Sequence, residues 1–110
     1  MKKRSLITIL VILGVIIISI IIINSSNGVS KETAMCIGEN SELYVQLGCN
    51  ACKHQEEMFG ENKKYLNIID CWYERDKCLN IEYTPTWIIK GEEYIGVQSI
   101  KKLKELTGCQ

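Results

Sequence analysis

Residues 6–23, "LITILVILGVIIISIIII", contain no charged side chain. That absence excludes an ordinary solvated segment. As a helix rising 1.5 Å per residue the run is roughly 27 Å long, close to the hydrocarbon thickness of a bilayer. Its β-branched residues disfavour a helix in water. In lipid, however, every backbone group must be satisfied internally, so a single span is helical. No clear small-x-small cleavage site lies in the adjoining "NSSNGVS", and the run is longer than the hydrophobic region of a secretory signal. A membrane anchor is therefore favoured over a cleaved signal, and either one exports the rest. Lys2, Lys3 and Arg4 precede the run, and the next cation is Lys31. The positive-inside tendency then places the N-terminus in the cytoplasm and the remainder outside, as a single-pass protein of the cell membrane.

A basic excess is also lacking. Setting aside the three N-terminal cations leaves ten Lys and Arg against thirteen Asp and Glu. This excludes a general nucleic-acid binder, which needs a basic face. Cysteine is absent from the anchor, and all six lie beyond it: Cys36, Cys49, Cys52, Cys71, Cys78 and Cys109. An even number in a small exported domain points to disulfides.

The chain divides into a basic end (1–5), the anchor (6–23), a polar stretch (24–41) and a domain (42–110). As a flexible coil, the polar stretch of about 18 residues reaches roughly 25 Å. It reads as a tether, although Cys36 within it favours partial docking. Alternating Leu43, Val45 and Leu47 in "ELYVQLG" predict a short strand. Asn50 to Phe59 has neither glycine nor proline and is succeeded by Gly60, which predicts a helix. "YLNIIDC" (65–71) predicts a second strand beside the first, making a β-α-β unit. Thr84 and Pro85 mark a turn. A hairpin comes next over Thr86 to Val97, and a last helix runs from its Ser99 cap to Thr107, with Gly108 behind it. The expected order is β-α-β-β-β-α. About 65 residues are marginal for a hydrophobic core alone, so covalent staples would help.

Cys49 and Cys52 stand where a strand turns into a helix. Unpaired N–H groups and partial positive charge at a helix N-terminus favour thiolate over thiol at Cys49. Its pKa should fall below the free value of about 8.5. Cys49 is then the nucleophile, or the sulfur that is attacked, and Cys52 resolves the mixed disulfide. Competing uses are weaker. A c-type haem site needs histidine directly after the pair, where Lys53 stands and His54 is one place late. A zinc site from Cys49, Cys52, Cys71 and Cys78 has ligands in hand, but its second pair is widely spaced and an oxidising compartment opposes it. A purely structural Cys49–Cys52 bridge closes too small a loop to gain much chain entropy.

Cys71 and Cys78 enclose "WYERDK". A disulfide there reads first as a staple, with electron relay from Cys49 and Cys52 as the other reading. Cys36 and Cys109 remain, and pairing them would clamp the tether to the last helix. His54 reads as a surface residue, with tuning of the thiolate as the other use. Trp72, Trp87 and Tyr94 read as core or rim aromatics. A cis Thr84–Pro85 bond is rare from sequence alone. It would aim the Thr84 backbone at the Cys49 sulfur and offer an edge for a peptide to pair with.

Two blocks, "CNACKHQEEMFG" and "YTPTWIIKGEEYIG", together with the final helix resemble the thioredoxin superfamily from about Tyr44 to Gly108. The closer resemblance is to the small thioredoxin-like domains that partner, or are fused to, vitamin K epoxide reductase homologues. That resemblance implies a minimal thioredoxin-like α/β fold on the single transmembrane helix. It implies Cys49 as nucleophile, Cys52 as resolving cysteine, Pro85 as the cis-proline and a Cys71–Cys78 disulfide. It implies no cofactor beyond the redox-active disulfide. Such domains oxidise exported cysteine-containing proteins and pass the electrons to a quinone-reducing membrane partner. Asn50-Ala51 departs from the commoner residues between the cysteines, which leaves the redox direction open. No acid equivalent to the buried one of thioredoxins is evident. A reductant carrier on the same fold and a non-enzymatic metal-binding or metallochaperone module remain as alternatives.

Overall fold

The computed structural model describes residues 2–25 and 28–110. Helix α1 (Lys2–Ser25) takes in the uncharged run and is apolar and long enough to cross a bilayer. Helix α2 (Lys31–Glu39) comes next, inside the stretch expected to be a tether. The flexible-coil reading does not hold for this half. Ser30 caps the helix by accepting from the Thr33 N–H at 3.3 Å. Ala34 and Ile37 are fully buried, so apolar contact holds α2 on the domain. Gly38 is needed there because a Cβ would collide with the Tyr65 carbonyl.

The sheet has strands β1 (Ser41–Val45), β2 (Ile68–Asp70), β3 (Thr86–Ile89) and β4 (Glu92–Ile95), in the order β2-β1-β3-β4. β1 and β2 are parallel, as a β-α-β unit requires, with helix α3 (Asn50–Glu57) between them. β1 starts and ends earlier than its alternating pattern predicts. β2 begins later, because Gly60–Tyr65 is a 3₁₀ segment. β3 pairs antiparallel with β1 and with β4. The hairpin turns at Lys90 and Gly91, both left-handed with φ 52° and 79°. Two positive φ values match the twist of the flanking strands. Helix α4 (Ile100–Thr107) starts at Ser99, whose hydroxyl accepts from the Lys102 N–H at 3.1 Å. Gly108 closes it in the left-handed region.

One face of the sheet carries the core. Leu43 and Val45 of β1 and Trp87 and Ile89 of β3 meet Ala34, Ile37, Phe59 and Leu103. Phe59 and Trp87 lie tilted with ring centroids 6.1 Å apart. The opposite face presents Tyr44, in register with Ile69 on one side and Thr86 on the other. A second 3₁₀ segment, Arg75–Cys78, lies in the loop between β2 and β3. β1, α3, β2 and the β3-β4-α4 unit make a minimal thioredoxin-like fold, with α2 as an added N-terminal helix.

Candidate active site

The turn from β1 into α3 sets the chemistry. Gly48 (φ 88°) makes the bend that lets Cys49 become the helix cap. Cys49 and Cys52 form a disulfide, with Cα atoms 5.2 Å apart. The Cys52 N–H donates to Cys49 Sγ at 3.1 Å. On reduction the same N–H, with the helix dipole behind it, favours thiolate at Cys49. The two sulfurs differ in access: Cys49 is half-buried, whereas Cys52 is 2% exposed. A thiol arriving from solvent therefore meets Cys49.

The Thr84–Pro85 bond is cis, and the Thr84 carbonyl oxygen lies 3.7 Å from Cys49 Sγ. Pro85 itself is buried. The fold thus brings together Cys49, Cys52, Thr84 and Pro85 from two separated segments. His54 is exposed on α3.

The other cysteines form two further bridges. Cys71–Cys78 has a Cα separation of 5.7 Å, and Cys36–Cys109 one of 5.9 Å. The first spans the β2–β3 loop. The second joins α2 to the residue after Gly108, so the clamp is on a docked helix and not on a loose tether. The Thr33 hydroxyl adds to it by donating to the Gln110 carbonyl at 2.8 Å. The four cysteines of the zinc reading are divided between two disulfides. Among the described residues, no group of three or more His, Cys, Asp or Glu is gathered to hold a metal ion. Of the three aromatics, Trp87 is fully buried, Tyr94 is half-buried and Trp72 is exposed. The Arg75 guanidinium lies over the Trp72 ring, 5.3 Å from its centroid.

Sequence reasoning missed the role of Gln55. This side chain is fully buried one turn after Cys52. Its Oε1 accepts from Trp87 Nε1 at 3.0 Å and from the Gln98 N–H at 2.6 Å. Its Nε2 donates to the Gln98 carbonyl at 3.0 Å. One amide thereby joins α3, β3 and the segment before α4. The signal was an unbroken amphipathic helix with glutamine, not an apolar residue, on the inward side. Gln55 is also the polar group nearest in sequence to Cys52 on that face, and it is neutral. Among the described residues the buried polar side chains are Thr33, Ser41, Gln55, Thr86 and Thr107, with no carboxylate.

A half-buried sulfur at a helix N-terminus, bonded to a buried sulfur one turn on, thus faces a cis-proline loop on a thioredoxin-like fold. The protein named thiol-disulfide oxidoreductase LTO1 from Arabidopsis thaliana is 34% identical to the chain over 79 residues, covering 62% of the chain. The match spans only about a fifth (21%) of that relative's length. No family model matches the chain.

Proposed function

We propose that the chain is a membrane-anchored thiol–disulfide oxidoreductase acting outside the cytoplasm through Cys49 and Cys52. The observation that carries this is the unequal burial of two bonded sulfurs at the start of α3. In the oxidising direction, a substrate thiolate attacks Cys49 Sγ. The Cys49–Cys52 bond breaks, and Cys52 leaves with the electron pair as thiolate. The second substrate thiolate then attacks the substrate sulfur of the mixed disulfide, and Cys49 leaves. The substrate gains a disulfide, and the pair holds two electrons and two protons. A membrane partner that reduces quinone, like vitamin K epoxide reductase homologues, would take those electrons and restore the disulfide. Exported cysteine-containing proteins are the substrates, and no cofactor beyond the disulfide is required.

Only four peptide steps separate Ser25, the end of α1, from the buried Val29. At full extension they reach at most about 14 Å. With α1 in the bilayer the domain is held near the membrane surface. Its partners there are met at an effective concentration on the order of millimolar.

The test equilibrates the full chain in detergent micelles across a glutathione series, with free thiols counted by mass after alkylation. A two-electron couple at Cys49 and Cys52 above about −200 mV marks a disulfide donor, and one near about −270 mV a reductant carrier. Exchange that survives Cys49→Ser would falsify the assignment of the nucleophile. Absence of any couple, with zinc protecting four thiols, returns the metal-binding module.

A further inference from the structure

A cavity of about 480 Å³ opens beside the redox pair, with Cys49 and Cys52 in its wall. Whatever fills it lies against the sulfur undergoing exchange. Ile68 and the ring of Tyr73 give it apolar sides, and Glu56, Asp70, Glu74 and Lys53 supply its charges. Carboxylates thus outnumber cations three to one in the lining.

The carboxylates are not equivalent. Asp70 is half-buried at the end of β2, and its Oδ1 accepts from the Trp72 N–H at 2.9 Å and the Leu47 N–H at 3.3 Å. Two backbone donors hold this group in place, so little side-chain freedom is lost when a ligand meets its other oxygen. Glu74 is engaged at one oxygen by Lys77 Nζ at 2.7 Å. Glu56 has its place on α3, one turn from Cys52. A long cationic side chain suits such a space. Its methylene stem lies on Ile68 and Tyr73 while its head reaches the carboxylates. An acidic side chain would be repelled in the same place.

We propose that this cavity is a subsite for a lysine or arginine side chain flanking the reactive cysteine of the protein substrate. The proposal rests on the redox reading above and names the substrate class that the same site prefers. The Thr84 carbonyl, which also approaches Cys49 Sγ, brings backbone and no charge, so selection by charge falls to the Asp70 side.

The test uses the oxidised full chain in detergent micelles and three dithiol peptides that differ only in the residue beside one cysteine: Arg, Ala or Glu. Each oxidation rate is divided by the same peptide's rate with hydroxyethyl disulfide. The division removes the effect of the flanking charge on the peptide's own thiols. The Arg peptide is expected to exceed the Ala peptide by roughly three- to tenfold, with the Glu peptide slowest. The preference should shrink toward unity in Glu56→Gln/Glu74→Gln and as salt is raised, and persist in Glu105→Gln on α4. Equal normalised rates for all three peptides overturn the subsite and leave the redox reading standing. A preference that survives when Asp70→Asn is added to Glu56→Gln/Glu74→Gln overturns its assignment to this cavity. Exchange with none of the peptides, and no redox couple, overturns the redox reading and the subsite together.

Discussion

The two faces of the sheet are held by different means. On one, α2, α3 and α4 cover Leu43, Val45, Trp87 and Ile89, and the buried Gln55 amide joins helix to strand. On the other lie the buried Tyr44 and Ile69, and the loop between β2 and β3 contains no helix longer than the 3₁₀ turn Arg75–Cys78. That loop keeps little of itself from water: Tyr73 is 71% exposed and Leu79 84%. Packing, hydrogen bonds and the long Cys36–Cys109 bridge together secure the first face. The second is secured by a covalent bridge closing a short loop. The chain thus keeps Cys49 and Cys52 on the well-packed side and leaves the thinly covered side to Cys71–Cys78.

The largest change should come from the packed side. Cys36→Ser/Cys109→Ser opens a loop with sequence separation 73. The chain-entropy relation makes that worth roughly 4 kcal/mol, seen as a lower denaturation midpoint. Gln55→Leu should cost about 3 kcal/mol, because Trp87 Nε1 and the Gln98 N–H lose a buried acceptor. The loss should appear in global unfolding, with the Cys49–Cys52 couple disturbed only through α3. An unchanged midpoint would mean that water replaces the amide. Cys71→Ser/Cys78→Ser should cost less, roughly 2.5 kcal/mol for its short loop. Its sharper signature is local: limited proteolysis should quicken within 72–83 before the rest opens. If proteolysis there stays slow, packing holds this face too and the contrast fails.

A pH effect belongs to the thinly covered side. Tyr44 donates to Glu42 Oε2 at 2.6 Å, and this bond, with burial, pushes its pKa up to about 12. The folded state then keeps a proton that the unfolded chain loses from about pH 10. Stability is full below that pH and falls as pH rises toward about 12, by on the order of 1–2 kcal/mol. Glu42→Gln should shrink this fall in pH-dependent denaturation. The smallest change expected is Ser99→Ala, about 1 kcal/mol from the lost cap of α4.

The place of Cys49 and Cys52 at the start of α3, the hairpin and α4 were legible because their signals are local. Cysteine spacing, Ser99 and Gly108 each act on neighbouring residues, whereas α3 ends at Glu57, before the expected stop at Gly60, which instead opens the 3₁₀ segment. α2 was not, since "KETAMCIGE" is short and largely polar, and its burial depends on contacts with Tyr65 and α4. Ser30 and the Ala34/Ile37 spacing were the available signals. Gln55 stood in plain sight as a helical residue, but its value lies in Trp87 and Gln98, 32 and 43 positions away. The cavity likewise joins α3 to the end of β2. Distances of that kind are set by the completed sheet and not by any local pattern.

The Cys36–Cys109 bridge has one more consequence. It makes nearly the whole domain a closed covalent circle, with both other disulfides inside its circumference. A protease that cuts the exposed loop once beyond Cys78, between Leu79 and Tyr83, turns a ring into a line and releases nothing. The nicked protein keeps its parts together, at unchanged mass apart from one added water, until a reductant strong enough to open the ring separates them.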